Sequence, residues 1–148
     1  MKRIILASAS PRRKELMSLI TSDYTIVTAD VDERAIENSL KGEPAVEVAK
    51  ALASAKARAV FDGLSEDDKR QCVVIGADTS VIIDDRILGK PLDKDDARKM
   101  LTDLSGRTHS VVTGVALVMA ERDLVFAEES IVEFSQLDEY QKNLIERY

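Results

Sequence analysis

The chain has 148 residues, 45% of them hydrophobic and 32% charged, and a formal net charge of −6. That balance suits one globular domain with a real core, and the acidity argues against a polymeric nucleic-acid partner, which calls for a basic face. One cysteine, Cys72, and one histidine, His109, leave no disulfide framework and no structural zinc site, which fits a reducing cytoplasm. Met1-Lys2-Arg3 and the four apolar residues after it do not make a secretory leader, and no apolar run approaches the ~20 residues of a membrane span.

The elements alternate between strand and helix. Ile4–Ala7 reads as a buried strand. Ser10 is placed as an N-cap with Pro11 at the first helical position, and Glu15–Ile20 continues an amphipathic helix. Tyr24–Thr28 reads as a second strand, followed by an acidic connection, Ala29–Glu33. Lys41-Gly42-Glu43-Pro44 breaks the chain; the next helix runs from Ala45 to about Phe61 and stops at Gly63. Leu64–Gln71 reads as a surface loop. Cys72–Ala77 is a buried strand with Asp78-Thr79 at its end, and Ser80–Ile83 with Arg86–Leu88 forms a hairpin around Asp84-Asp85. Asp93 caps a short helix that ends at Gly106. Ser110–Met119 and Leu124–Phe134 are two long strands, and a last helix runs from about Asp138 to Tyr148.

Four polar features interrupt this pattern. In the first, Arg12, Arg13 and Lys14 stand in the first turn of a helix, where the partial positive charge favours acids. Each misplaced charge costs roughly 0.3–1 kcal/mol at an exposed site. An anion would repay this, because Ser8, Ser10, the free N–H groups and the arginine forks would converge on a phosphate. A solvated basic face is the other reading. In the second, Lys56 falls in the middle of the apolar arc formed by Val48, Leu52 and Val60. It either snorkels between alanines or serves as a phosphate ligand.

In the third, Asp78, placed at a strand end, suits a metal ligand or general base, or simply a turn. Glu33 is a weaker candidate for the same duty. The fourth is Gly89-Lys90-Pro91, which directs a lysine from a bend and reads equally as a surface turn. His109 is read as structural, because no Ser-His-Asp constellation accompanies it. Together these cations, hydroxyls and carboxylates, with no activated nucleophile, suit cleavage of a polyphosphate by metal-activated water.

Ser8-Ala9-Ser10-Pro11-Arg12-Arg13 with Glu15-Leu16 resembles the N-terminal signature of the Maf family of nucleoside triphosphate pyrophosphatases. Asp32-Glu33, Ala53-Ser54-Ala55-Lys56-Ala57, Ile75-Gly76-Ala77-Asp78-Thr79, Gly89-Lys90-Pro91, Leu104–His109 and Thr113-Gly114-Val115 extend the likeness in order along the chain. The resemblance implies an α/β fold with a long, bent mixed sheet flanked by helices, and two lobes with a cleft between them. It implies hydrolysis of a nucleoside triphosphate, dTTP or UTP for this branch, to the monophosphate and pyrophosphate. Asp78 would be the proton acceptor. Arg12 and Thr79 would set substrate choice, and Ser8, Arg13, Lys56 and Lys90 would line the pocket. Glu33 and Asp78 would hold a divalent cation, Mg²⁺ or Mn²⁺. Many members form dimers, so a homodimer is implied as a candidate.

Family members continue with a further loop, strands and a helix beyond the position of Tyr148. The expectation is therefore a single domain over residues 1–148 that lacks the family's C-terminal segment, as a truncated chain or a natural short form. Apolar surface is then expected to be exposed on Ser110–Phe134. The alternative function is a nucleotide-binding module without turnover, and a structural or partner-binding role ranks third.

Overall fold

A computed structural model describes residues 1–146. Six strands form a mixed sheet: β1 (Arg3–Leu6), β2 (Tyr24–Ile26), β3 (Cys72–Ile83), β4 (Arg86–Leu88), β5 (Thr108–Val118) and β6 (Asp123–Glu133). The order is β2-β1-β3-β5-β6, with β4 on β3. β1 is parallel to both neighbours, with Leu6 beside Ile26 and Ile75, whereas β4 is antiparallel to β3. The helices are α1 (Pro11–Ile20), α2 (Glu33–Ser39), α3 (Ala45–Asp62), α4 (Glu66–Gln71), α5 (Lys94–Leu104) and α6 (Glu139–Glu146). None is long and apolar enough to cross a membrane. The α/β class and mixed sheet expected from the sequence are therefore present. The expected end of the last helix, Arg147 and Tyr148, lies outside the described residues.

Close packing groups the chain into two compact units. The first comprises Met1–Thr79 and Thr113–Glu128. Its core joins Ile5 and Ala7 of the β1 segment, Cys72 and Val74 of β3, and Ala116 and Val118 of β5 to Ala53, Ala57, Val60 and Phe61 of α3. Ala49, Ala53 and Ala57 recur every four residues on one face of α3, and all three are completely buried. They let the helix backbone touch the sheet. A Cβ on Gly76 would come within 2.4 Å of the Ala53 carbonyl oxygen and 2.8 Å of the Ala57 nitrogen. One on Gly114 would come within 2.3 Å of the Ala49 carbonyl oxygen. Only glycine fits at these two points, so they set the position of α3 over β3 and β5.

The second unit comprises Ser80–Val112 and the chain from Glu129 on. Asp84 and Asp85 turn the β3–β4 hairpin with φ of 50° and 60°, the left-handed pair that a two-residue loop requires. Arg107 bonds the Asp84 carboxylate and also donates to the Asp103 carbonyl. That guanidinium holds the Asp84 carboxyl below its usual pKa. The folded value thus lies below the unfolded one, so the contact stabilises at neutral pH and fades as pH falls through the lowered value. His109 is buried, its ring edge-on to Phe134 with centroids 4.9 Å apart.

Four sequence expectations change. α4 replaces part of the loop expected over Leu64–Gln71. The Ser65 hydroxyl accepts from the Asp68 N–H, acids fill the first turn, and Lys69 and Arg70 fill the last. Cap and charge order this helix without any apolar face. α2 begins inside the expected acidic connection, capped by the Asp32 carboxylate, which accepts from the Ala35 N–H at 3.0 Å. Asp78-Thr79 does not end a strand, because β3 runs unbroken through both to Ile83. The strand end that matters is that of β1, beyond which β3 continues. The expected apolar exposure falls on β6 alone, at Leu124, Val125, Phe126 and Ile131, whereas β5 buries Val112, Ala116 and Val118.

Replacing Gly76 with alanine should destabilise the protein by about 2–3 kcal/mol through overpacking, lowering Tm by roughly 6–10 °C. Gly89→Ala, which meets nothing within 4 Å, should stay within about 0.5 kcal/mol of wild type. Thermal melts followed by circular dichroism separate the two, and equal melting temperatures would refute the contact argument.

Candidate active site

β1 and β3 end differently, and this gathers polar groups. The Ala7 N–H donates to the Ile75 carbonyl at 2.8 Å, and the β1 chain then leaves the sheet through Ser8. On its neighbour, Asp78 follows three residues after Ile75. Parallel pairing therefore brings Ser8 and Asp78 to the same end of this strand pair.

Ser8 is buried, and its hydroxyl oxygen accepts from the Ser10 N–H at 3.2 Å and the Arg13 guanidinium at 3.3 Å. Ser10 occupies the N-cap position with Pro11 following, as expected, but its side chain makes no capping bond. The first turn of α1 contains no acid. Its donors and the Arg13 guanidinium thus form a basic cradle around Ser8, suited to an anion. Arg12 is exposed on the same turn.

Gly76 and Asp78 face the same side of β3 by the two-residue period, toward α3. Lys56 answers from α3, its ammonium 2.7 Å from Asp78 Oδ1 and 3.3 Å from Glu33 Oε2 at the start of α2. The Lys56 side chain is 17% exposed and that of Asp78 10%. Three residues named from the sequence, Glu33, Lys56 and Asp78, therefore meet. Lys56 neither snorkels to solvent nor stands alone; it bridges two carboxylates. The partners could not be read from the helical wheel, which shows where a lysine lies but not what faces it.

Thr79 points to the opposite face, where its hydroxyl lies 3.1 Å from that of Thr113 on β5. Lys90 is exposed in the connection between β4 and α5, in the second unit. Thr113 was visible from the sequence only as part of a short Thr-Gly-Val string. The signal that singles it out is its pairing across the sheet with Thr79.

A divalent cation can be tested against this donor set. Among the described residues no group of three or more His, Cys, Asp or Glu could hold a metal ion. Two carboxylates nevertheless converge on one cationic centre, the Lys56 ammonium. One or two carboxylates are the usual protein share of a Mg²⁺ shell completed by water and phosphate oxygens. The chemistry fits a cation shared with a phosphate ligand and does not fit a closed protein cage.

Lys56→Met should cost about 2 kcal/mol, because it removes the ammonium that pairs with the buried Asp78 carboxylate and separates it from Glu33. Asp78→Asn should cost about 1 kcal/mol, and the double variant should lose less than the sum by about 1 kcal/mol. Urea unfolding measures this coupling; additivity within about 0.5 kcal/mol would show that the ion pair carries none.

A family profile described as Maf-like protein matches residues 3–148. The dTTP/UTP pyrophosphatase of Hahella chejuensis is 43% identical over 147 residues, covering 99% of this chain and 69% of that protein. That of Bacillus cytotoxicus is 45% identical over 139 residues, covering 94% and 68%. Among solved structures, the Staphylococcus aureus Ham1 protein aligns with a TM-score of 0.55 at 16% identity, over 89% of this chain and 71% of that one. A HAM1 protein from Coxiella burnetii aligns at 0.54 and 18%, over 98% and 91%. These two show a shared fold. With the Ser8–Arg13 cradle and the Lys56–Asp78 pair in place, and a family match over almost its whole length, this chain belongs to the Maf family.

Proposed function

We propose that this chain hydrolyses nucleoside triphosphates, dTTP and UTP foremost, to the nucleoside monophosphate and pyrophosphate. The observation that carries the reading is Asp78, a buried carboxylate bonded to Lys56 at the end of the strand pair where the basic cradle also stands. The names of the curated relatives support the same reaction.

Each residue then has a physical task. Ser8, Arg13 and the first-turn donors of α1 hold phosphate oxygens through charge-assisted hydrogen bonds. Arg12 and Thr79 complete substrate binding in the first unit. Lys56 orients Asp78 and places positive charge where the phosphates gain negative charge. Asp78 accepts a proton from the attacking water. The water oxygen bonds to phosphorus as the α–β anhydride bond breaks, and pyrophosphate leaves with the bonding pair. When bound, a divalent cation held by Glu33 and Asp78 would neutralise phosphate oxygens and acidify the water. A cytoplasmic setting and a homodimer belong to the same proposal, and sedimentation of the purified chain reads the latter.

Purified protein should release pyrophosphate from dTTP and UTP in the presence of Mg²⁺ or Mn²⁺. Asp78→Asn should lower kcat by about 100-fold or more, and Arg13→Ala should chiefly raise KM. Equal inactivity of wild type and Asp78→Asn would remove the catalytic assignment. Calorimetric nucleotide binding without product would then identify a binding module, and absence of binding would favour a structural role.

A further inference from the structure

The Thr79 and Thr113 hydroxyls face each other at 3.1 Å on the side of the sheet opposite α3. Thr79 is exposed and Thr113 is half-buried. A hydroxyl has one proton and two lone pairs, so an isolated one donates to or accepts from a ligand with equal ease. The pair limits that freedom, because one lone pair of the accepting oxygen is taken up. Among the described residues Thr113 has no other hydrogen-bond partner for its hydroxyl. An unsatisfied donor in a partly buried place is costly, so the favoured arrangement spends the Thr113 proton on Thr79. The Thr79 oxygen then accepts from Thr113, and the Thr79 proton is directed outward.

We propose that Thr113 is a positioning residue for nucleotide choice: it turns the Thr79 hydroxyl into an outward donor that selects a pyrimidine with a carbonyl at position 4. Uracil and thymine present an acceptor there and cytosine presents an amino donor, so an outward O–H favours the first two, while cytosine is left only the one lone pair of Thr79 that Thr113 does not occupy. The inference rests on the reading above in which Thr79 contacts the nucleotide. It adds the residue that polarises Thr79 and the atom on the base that is read.

The test compares kcat/KM for UTP and CTP in wild type, Thr113→Val and Thr113→Ser. Valine keeps the β-branched shape that suits the strand but lacks the hydroxyl; serine keeps the hydroxyl. Thr113→Val should reduce the UTP-to-CTP ratio by about tenfold, mainly through KM, because the freed Thr79 rotor accommodates either base. Thr113→Ser should stay within about twofold of wild type. Thr113→Ala substitutes for valine if circular dichroism shows that the valine variant is unfolded. An unchanged ratio in Thr113→Val, or an equal loss in Thr113→Ser, overturns the proposal. So does a fall in kcat alone for both nucleotides, which marks a merely structural role. If wild type releases no pyrophosphate, the ratio of calorimetric Kd values for UTP and CTP is read by the same criteria. The failure then belongs to the hydrolytic reading and leaves the Thr113 test standing. Absence of binding to either nucleotide overturns both.

Discussion

The backbone of α3 touches the sheet at Gly76 and Gly114, and the placement of chemistry in the first unit follows from that contact. A helix usually stands off a sheet by the length of two side chains. Here the alanines at 49, 53 and 57 meet strand positions that have no Cβ, so backbone packs on backbone. The interior tolerates little change at such a point, since atoms without room must move the helix itself. Lys56 precedes the last of these alanines and Asp78 follows Gly76 by two residues. Their 2.7 Å ion pair is thus a consequence of the glycine contact and needs no long flexible reach.

Charge is distributed with similar economy. The protein is acidic overall, and α2, α4 and α5 each begin with a side-chain cap and acids in the first turn. Each of these three starts bonds one of its own N–H groups to its cap and sets acids against the helix dipole. α1 has Ser10 at the N-cap without a capping bond, no acid, and Arg12, Arg13 and Lys14 instead. α3 also lacks a side-chain capping bond but has Glu47 in its first turn, so the α1 donors are those with neither a capping bond nor a nearby acid, and they suit an outside anion. Local cationic character inside a net-negative molecule favours a small anionic ligand over an extended polyanion, because the long-range field repels the latter.

Much of this was legible in the residues. The cradle could be read because misplaced charge at a helix start is a local signal, and the hairpin at Asp84-Asp85 because turn chemistry is local too. α2 and α4 leave no apolar periodicity in the sequence, because their stability comes from caps and charges. Asp32 and Ser65, each followed by acids, were the available signs. In the sequence Asp78 looks like a strand end, because polar residues interrupt the apolar run. In the fold the interruption is one of side-chain chemistry, not of backbone, and only the pairing with β1 shows where the neighbouring strand stops. The meeting of Glu33 with Lys56 depends on where α2 lies against α3, which no periodicity encodes.

The adjacency of Asp78 and Thr79 in the chain conceals a separation in space. Successive strand residues face opposite sides, so the proposed proton acceptor looks toward α3 and the hydroxyl looks away. A shift of one residue in β3 would exchange them, placing the carboxylate beside Thr113 and the hydroxyl beside Lys56. The register must therefore be pinned close to this dipeptide. Gly76 does so on the Asp78 face, because a slipped register would present a Cβ to the α3 backbone where none fits. Gly114 does the same for β5, one residue after Thr113. The two glycines thus hold both faces of the sheet in register: the ion pair on one and the threonine pair on the other. A change to the hydroxyl pair can alter what is recognised while the Lys56–Asp78 contact, across the sheet, stays as it is.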